Sequence, residues 1–425
     1  INKLDGLVLS PSRRALLTAL LLSACDQANN LWMYPTTRAR PRQLNTPAKF
    51  RENNLWIALE ESIQEWTSLQ TPVPVCHWPE QPPAEGGISL YQGRIRDLVA
   101  SQAAIPAEAI VGVFPRPNQA FWTLSALWSG WLWGRETVAP LRNALVRRRY
   151  DWNWHATALE SALKGLPEHV LAGVPFFGLL TELEAPYLSA ALLASDRAGF
   201  VLKSLSFRSE TGIAQGMWQS APGGLPHRLE TAEQIARQAA KSYLDERGEP
   251  CAYLAIHAAM LAAQGEARAL SAPGGTVEAD PLAQLNTRLR SILSDRSLLT
   301  RFGGGDHTLE TGTWWLSGAS GAAPSFSDQI EMEVVRFLIK HPDCTFEEID
   351  KSLCENQPGL FTPHLDLTHA ILESYGVQEP PDSGVWRVRE QDTPESRRSD
   401  LVEVNLRLRQ LGEHLGYQVS GENPV

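Results

Sequence analysis

The stretch at residues 110–134 limits most strongly what this chain can fold into. Its first five residues, IVGVF, form a short apolar run that predicts a buried strand. A stiff turn of sequence PRPN follows directly, and a tryptophan-rich segment that predicts a helix comes next. Alternation of buried strands with helices is typical of α/β proteins. We therefore expect an α/β fold built around this strand, turn and helix.

Composition limits the class of protein and its partners. The chain has 425 residues, enough for two to four domains, and its 43% hydrophobic and 20% charged content is typical of globular proteins. A formal net charge of −10 argues against a surface built for non-specific DNA binding, although local basic patches could still contact phosphate. Five cysteines without a Cys-x-x-Cys pair argue against a disulfide framework or a zinc ribbon. We expect a cytoplasmic protein with no membrane contact.

The N-terminal region allows one alternative localisation. Arg13 and Arg14 precede an apolar run that ends at Cys25. This order is similar to a lipoprotein signal, which would place Cys25 at a lipid-bearing N-terminus. The run continues without a break into QANNLW, as an amphipathic helix would. We therefore expect Cys25 to be an unmodified, buried residue within a helix.

Apolar periodicity and proline- or glycine-rich breaks divide the chain into four segments. Residues 1–75 predict a helical lead-in with a basic connector. Residues 76–222 predict alternating strands and helices, hence a sheet of largely parallel strands. Residues 223–325 predict a helical connector. Residues 326–425 predict three helices and a β-wing, which is the order of a winged helix, followed by a C-terminal helix.

Four stretches of the first 220 residues resemble the later, C-terminal half of large bacterial adenine-specific (N6) DNA methyltransferases. They are SRRALLTALLLSACDQANNLW, ISLYQGRIRDLV, VFPRPNQAFWTLSALWSGWLWG and VPFFGLLTELEAPYLSAALLASDRAGFVLKSLSF. The third falls where that family has its catalytic loop, Asp/Asn/Ser-Pro-Pro-aromatic, whose first residue accepts a hydrogen bond from the amino group of a flipped base. The resemblance implies a Rossmann-like methyltransferase core, DNA as a partner and S-adenosylmethionine as the cofactor.

The catalytic loop is degenerate in this chain. Aligned through Pro115, the acceptor position is Phe114; aligned through Pro117, it is Arg116. Neither side chain can accept a hydrogen bond from an amino group. Asn118 is the nearest substitute, and it lies out of register. We therefore assign no catalytic residue with assurance within this loop.

The cofactor loop of the family is also missing from the sequence. S-adenosylmethionine is bound there by a glycine-rich turn of the form Asp-x-Phe-x-Gly-x-Gly, in which glycines let the backbone approach the ligand. The glycine triplet at residues 303–305 follows no predicted strand of the sheet. We expect no cofactor on this chain alone; S-adenosylmethionine could bind only with an additional segment or a partner.

Several side chains are candidates for contact with DNA. Phe121 and Trp122 could stack on a base, as could a patch of Trp152, Trp154 and His155, for which core packing is the favoured interpretation. Basic residues that could contact phosphate are Arg38, Arg40, Arg42, Arg147, Arg148, Arg149, Lys351, Arg387 and Arg389.

The predicted winged helix leaves two roles open. Its third helix, at residues 363–375, should expose His364, Thr368 and His369, but it carries no Lys or Arg. If the domain binds DNA, the wing should therefore dominate the contact; otherwise the domain docks on protein. The histidines and cysteines of this segment match no zinc signature, so no metal is expected.

Three hypotheses for function follow. The first is a degenerate adenine-methyltransferase-like, DNA-binding or scaffolding subunit of a restriction-modification or phage-defence system, with other protein subunits as partners. The alternative is half of an active S-adenosylmethionine-dependent N6-adenine DNA methyltransferase, whose cofactor loop lies on a missing N-terminal segment or a partner chain. The third is a purely structural adaptor.

Overall fold

The computed structural model describes residues 6–34, 44–68, 73–101, 107–116, 119–142, 145, 151–181, 183–208, 210–221, 229–271, 280–305, 307–318, 324–381 and 383–417. Over these residues the chain is a mixed α/β protein with many helices and four small sheets. The expected α/β class is therefore confirmed in this general sense. No helix in the described ranges combines the length and the apolar character needed to cross a membrane.

Two helices near the N-terminus pack against each other, α1 (Pro11–Gln27) and α2 (Leu55–Thr67). The hydroxyl of Ser10 accepts a hydrogen bond from the Arg13 N–H and so caps the start of α1. Cys25 lies within the last turn of α1 and is partly buried. The expectation that it is a helix residue is confirmed, whereas the expectation that it is buried is wrong, because α1 leaves part of this face exposed. Two short strands, β1 (Val75–His77) and β2 (Ile88–Leu90), then pair in parallel.

The central sheet has four strands in the order β3-β4-β6-β5. Their bounds are β3 (Ile110–Phe114), β4 (Pro175–Thr181), β5 (Phe200–Arg208) and β6 (Ile213–Ser220). β3 and β4 are parallel, whereas β6 is antiparallel to both β4 and β5. The prediction of a largely parallel sheet is therefore wrong. Four residues separate β5 from β6, and a parallel crossover needs a dozen or more, so these two strands must form a hairpin.

Helices cover one face of this sheet and share a single core with it. They include α3 (Ile95–Ala100), α5 (Trp152–Leu163), α6 (Leu166–His169), α7 (Ala185–Arg197), α8 (Leu229–Arg247), α9 (Tyr253–Glu266) and α10 (Pro281–Leu293). α7 is apolar around most of its circumference because it is surrounded by the sheet and other helices. The stretch predicted as a helical connector thus packs into the core of the predicted sheet domain.

The opposite face of the sheet is open. The side chains of Val111 and Val113 on β3 are 81% and 63% exposed, and Phe177 on β4 is 44% exposed. Among the described strands, β3 has a neighbour on one side only. Parallel strands are normally covered on both faces, so the exposure of one face of β3 and β4 is unusual.

Two further elements complete the middle of the chain. The tryptophan-rich helix α4 (Gln119–Trp133) follows β3, and a 3-10 turn at Arg135–Leu141 packs on it. A small antiparallel sheet in the order β7-β9-β8 consists of β7 (Cys251–Ala252), β8 (Leu299–Phe302) and β9 (Thr313–Leu316).

The C-terminal region forms a second core of its own. It contains α11 (Phe326–Lys340), α12 (Phe346–Asn356) and α13 (Leu365–Tyr375), with a sheet of β10 (Cys344–Thr345), β11 (Gly376–Gln378) and β12 (Val385–Val388). The capping box predicted for the second helix is confirmed, since Thr345 and Glu348 each satisfy the other's backbone N–H. The sheet is antiparallel in the order β10-β12-β11.

A last helix, α14 (Pro394–His414), follows this region. It begins where the Thr393 hydroxyl accepts a hydrogen bond from the Ser396 N–H. Within the described chain no residue of α14 is buried, although the helix carries several large apolar side chains.

Candidate functional site

Phe114, one of the two residues expected to align with the acceptor position, is part of the hydrophobic core. Phe114 ends β3 and is 4% exposed. Its ring lies 5.8 Å from the ring of Phe176 and 5.6 Å from that of Trp218, measured between centroids. Its backbone carbonyl accepts a hydrogen bond from the hydroxyl of Tyr187 at 2.7 Å. Both the side chain and the carbonyl are therefore occupied within the protein.

A row of glycines makes room for this ring. Gly112, Gly178 and Gly216 are direct neighbours across β3, β4 and β6. A Cβ atom at Gly178 would overlap the ring of Phe114, and one at Gly216 would overlap the ring of Trp218. The three glycines therefore leave the space that the aromatic rings fill.

The glycine row was not found in the sequence, although a signal exists. Each of the three strands has Gly two residues before a large buried side chain, in the triplets GVF, GLL and GMW. Residues two apart on a strand share one face, so each Gly and its large neighbour point to the same core. The three glycines become neighbours only because β3, β4 and β6 are adjacent in the sheet, and this strand order could not be predicted from the sequence.

The next loop residue, Pro115, is hydrogen-bonded by a buried histidine. Burial lowers the pKa of His155 to about 4, and a hydrogen bond to the backbone of Pro115 opposes this only in part. Since proline has no N–H, the neutral imidazole donates to the Pro115 carbonyl. The ring of Trp152 stacks on Tyr187 at 5.7 Å and contacts His155 edge-on at 5.8 Å. For Trp152 and His155, the favoured interpretation as core residues is confirmed.

Arg116 forms an ion pair with Glu184, the residue directly before α7. Its guanidinium donates to Glu184 at 2.6 Å, and the Arg116 side chain is 13% exposed. Pro117 and Asn118 lie outside the described residues. The two positions that could align with the family's acceptor thus carry a core ring and an ion-paired guanidinium. The sequence reasoning missed Glu184 and Tyr187, which are three residues apart at the start of α7 and hence on one side of it.

The candidate stacking residues lie at the first turn of α4. Phe121 and Trp122 are both partly buried there. The more exposed tryptophans of this helix are at its other end, where Trp131 and Trp133 are each more than half exposed.

The basic candidates differ in placement. Arg38, Arg40, Arg42, Arg147, Arg148 and Arg149 lie outside the described residues. Lys351 is exposed on α12.

The two wing arginines are engaged within the protein. Arg387 forms ion pairs with Asp343 and, at 3.1 Å, with Glu379. Arg389 donates to three carbonyls at and after the end of α13, those of Glu373, Ser374 and Gly376. Cations at a helix C-terminus satisfy its orphan carbonyls, so Arg389 is a helix cap.

The N-terminus of α13, the third helix of the C-terminal region, contacts the central sheet. Glu210, in the β5–β6 turn, accepts a hydrogen bond from the Leu365 N–H at 2.7 Å and lies 2.6 Å from the His364 ring nitrogen. Nearby, Arg208 forms an ion pair with Asp350 of α12 at 2.5 Å. Thr368 is fully buried, so the prediction that it is exposed is wrong; it faces the core beneath α13.

A serine–histidine pair also occurs, but it is inaccessible. The Ser189 hydroxyl lies 2.9 Å from Nε2 of His257, and both residues are buried between α7 and α9. Burial lowers the pKa of His257 to about 4, so the ring is neutral near pH 7. Since no substrate can reach a fully buried hydroxyl, this pair joins two helices and does not form a catalytic site.

The glycine triplet at residues 303–305 does not fit S-adenosylmethionine. The glycine triplet forms part of the connection between the antiparallel strands β8 and β9. The Gly305 N–H donates to the Thr311 hydroxyl at 3.1 Å, and a Cβ at Gly304 would lie 2.7 Å from the Thr311 carbonyl oxygen. The turn is thus closed on itself and offers no cradle for a ligand. In the described parts of the chain, no cluster of three or more His, Cys, Asp or Glu residues could hold a metal ion.

No family model matches the chain, and no curated protein or solved structure matches it either. Function must therefore be inferred from the geometry of the site.

Proposed function

We propose that this chain is a methyltransferase-like subunit that performs no methyl transfer itself and serves as a scaffold in a DNA-targeting assembly, of the restriction-modification or phage-defence kind. One observation carries the proposal. At the end of β3, the ring of Phe114 fills the core and Arg116 is paired with Glu184. Neither can accept a hydrogen bond from the amino group of a base.

The order of the central sheet supports the methyltransferase-like assignment. β6 is antiparallel and lies between β4 and β5, which are parallel to each other because both oppose β6. The strands β3, β4 and β5 thus run in the same direction, as the strands of a Rossmann-like core do. We accordingly propose that the sheet is the later half of such a core.

The C-terminal region supports a winged helix used for docking. Three helices followed by a hairpin whose last strand also pairs with β10 have the order of that fold. Here the helix that would enter the major groove has its N-terminus on Glu210, and the wing arginines bind acidic side chains and carbonyls of the same region. Scaffolding is therefore favoured over DNA binding for this part of the protein.

The proposal is tested with the purified full chain, labelled S-adenosylmethionine and duplex DNA. We expect no binding of the cofactor by calorimetry at micromolar protein, because the glycine turn is closed, and no label transferred to DNA. Cofactor binding with a micromolar dissociation constant, or transfer of label by the chain alone, would show that the proposal is wrong.

The alternative, half of an active methyltransferase, has one observation in its favour. The open edge of β3 and the exposed side chains of Val111 and Val113 leave room for further strands and a covering layer. A preceding segment or partner that carries a cofactor loop could complete the sheet there.

The alternative makes a distinct prediction for the assembled complex. If methylation appears once the completing segment is present, Asn118 is the remaining polar side chain of the loop that could accept the amino hydrogen bond. Asn118→Ala should then abolish methylation, while Gln119→Ala, at the neighbouring amide, should not. If the complex shows no methylation with the native loop, the scaffold proposal stands.

A further inference from the structure

Helix α14 carries a continuous apolar stripe that the described residues of the protein leave uncovered. Apolar residues recur on α14 with the spacing 3-4-3-4, which is the a/d pattern of a coiled coil. We call these five residues the seam: Leu401, Val404, Leu408, Leu411 and Leu415. Their side chains are between 52% and 62% exposed.

The seam is narrow, as expected of a coiled-coil contact. At 100° per residue, the five positions fall within about 80° of the helix circumference, whereas a helix that packs on a globular core shows a wider apolar face. Val402 and Leu406 are also about half exposed, but they lie on the far side of the helix. These two residues therefore provide a natural comparison with the seam.

The first turn of α14 contacts the body of the protein. Arg397 forms an ion pair with Asp392, and its guanidinium lies 6.0 Å from the ring centroid of Tyr375. Beyond this turn, no residue of α14 is buried within the described chain. Helices in proteins owe most of their stability to packing of an apolar face, so a seam of this kind needs a partner.

We propose that the seam of α14 binds the same seam of a second copy of this chain, as a parallel two-stranded coiled coil. In register, this pairing places all five seam positions against their equivalents. The flanking residues then meet without conflict, because Asp400 lies across from Asn405 and Arg407 lies across from Gly412 of the second copy.

The antiparallel arrangement fits less well. It places Arg407 against Arg407 of the second copy and Leu415 against Arg397, whose charge is already paired with Asp392. Like charges at flanking positions select against a pairing. The parallel arrangement is therefore the one that the sequence of α14 favours.

The area available is sufficient for a weak dimer. Burial of one leucine side chain removes on the order of 100 Å² from water, so five seam positions on two helices bury roughly 1,000 Å², near the lower limit for a specific interface. Since the interface is at the lower end of the size range, self-association should be weak and should depend on protein concentration. Such pairing does not depend on whether the central sheet is completed by another chain.

The test is sedimentation of the full chain over a range of ~1–200 µM. We expect the average mass to rise from that of a monomer towards that of a dimer. Leu408→Asp, which places a charge in the seam, should weaken self-association at least ~10-fold. Leu406→Asp is the matched control: it is the same change at an equally exposed position outside the seam, and it should alter the affinity by less than ~2-fold.

Orientation is tested by cross-linking with cysteine. Parallel pairing in register brings position 411 of two copies together, so Leu411→Cys chains should form a disulfide with each other under mild oxidation, identified by peptide mapping. Leu406→Cys chains should not. A monomer at every concentration, an equal effect of the two aspartate variants, or cross-linking at 406 and not at 411 would each overturn the proposal.

Discussion

The hydroxyl of Tyr187 donates to the carbonyl of Phe114 from within the core, at the point where β3 gives way to the proline turn. Tyr187→Phe keeps the ring that stacks on Trp152 and leaves this buried carbonyl without its donor. We expect the free energy of unfolding to fall by about 1–2 kcal/mol, measured by urea denaturation. Tyr417→Phe, at an exposed tyrosine, should change it by less than about 0.5 kcal/mol. Equal effects of the two variants would contradict this role for Tyr187.

Two buried histidines predict a dependence of stability on pH. Burial lowers the pKa of both His155 and His257 to about 4, below the value near 6.5 of an unfolded chain. Between these values the unfolded state binds more protons than the folded state. Stability should therefore fall as the pH drops from 6.5 towards 4, by up to about 1.4 kcal/mol per pH unit for each histidine.

The contribution of His155 to this slope can be isolated by mutation. His155→Phe keeps an aromatic ring beside Trp152 and Tyr187 but cannot be protonated. We expect it to flatten the fall in unfolding free energy between pH 6.5 and 5 relative to the native chain. An unaltered slope in His155→Phe would show that His155 already accepts protons in the folded state.

At the scale of residues, the position of the proline turn after β3 could be predicted from the sequence, whereas the side chains that surround it could not. The apolar run and the two prolines predicted where β3 ends, because both signals are local. That Phe114 joins the core could not be predicted, since its partners Phe176 and Trp218 lie on other strands. Thr368 shows the same limit: its helix was predicted, but which face of that helix is covered depends on the neighbouring elements.

At the scale of elements, the C-terminal end of α13 is capped by Arg389, a residue of the predicted wing. Arg389 donates to three carbonyls at the C-terminus of α13, so Arg389→Ala should destabilise the C-terminal region by about 1–2 kcal/mol and increase hydrogen exchange in the last turn of α13. Arg387→Ala is the comparison, because Arg387 is exposed and pairs with side chains only. If the two variants exchange alike, Arg389 is not the cap.

The same pair of arginines distinguishes docking from DNA binding. Because both side chains are bound within the protein, we expect Arg387→Ala combined with Arg389→Ala to leave the salt dependence of any DNA binding unchanged. Loss of two phosphate contacts would instead lower the salt slope by about 2. Anisotropy of labelled duplex DNA over a salt series measures this slope.

Element types followed from sequence patterns more reliably than their pairing. The three helices and the capping box of the C-terminal region were predicted, since apolar spacing and cap residues are local signals. The parallel sheet was not correctly predicted. The alternation of strands and helices suggested crossovers throughout, and the short link between β5 and β6 was not weighed against the length that a crossover needs.

For the whole molecule, Phe361 joins the two cores. Its ring lies 5.1 Å from that of Tyr243 on α8 and 5.9 Å from that of Phe326 on α11. Phe361→Ala should reduce stability by about 2 kcal/mol, somewhat less than a fully buried Phe→Ala change, and should separate unfolding into two calorimetric transitions. Phe302→Ala, at an exposed phenylalanine, should keep the transition as it is in the native chain. A single transition in Phe361→Ala would mean that other contacts between the two cores, such as Arg208 with Asp350 and Ser327 with Glu249, are sufficient to couple them.

The glycine row across β3, β4 and β6 limits which single substitutions this part of the core can accept. A polar residue placed at position 114 would leave a ring-sized void bounded by Gly178, where side-chain atoms are absent. Filling that void would require a side chain at Gly178, which the present ring excludes. Each of the two changes is therefore destabilising unless the other has already been made. Position 114 and position 178 can consequently be exchanged for other residue types only as a pair.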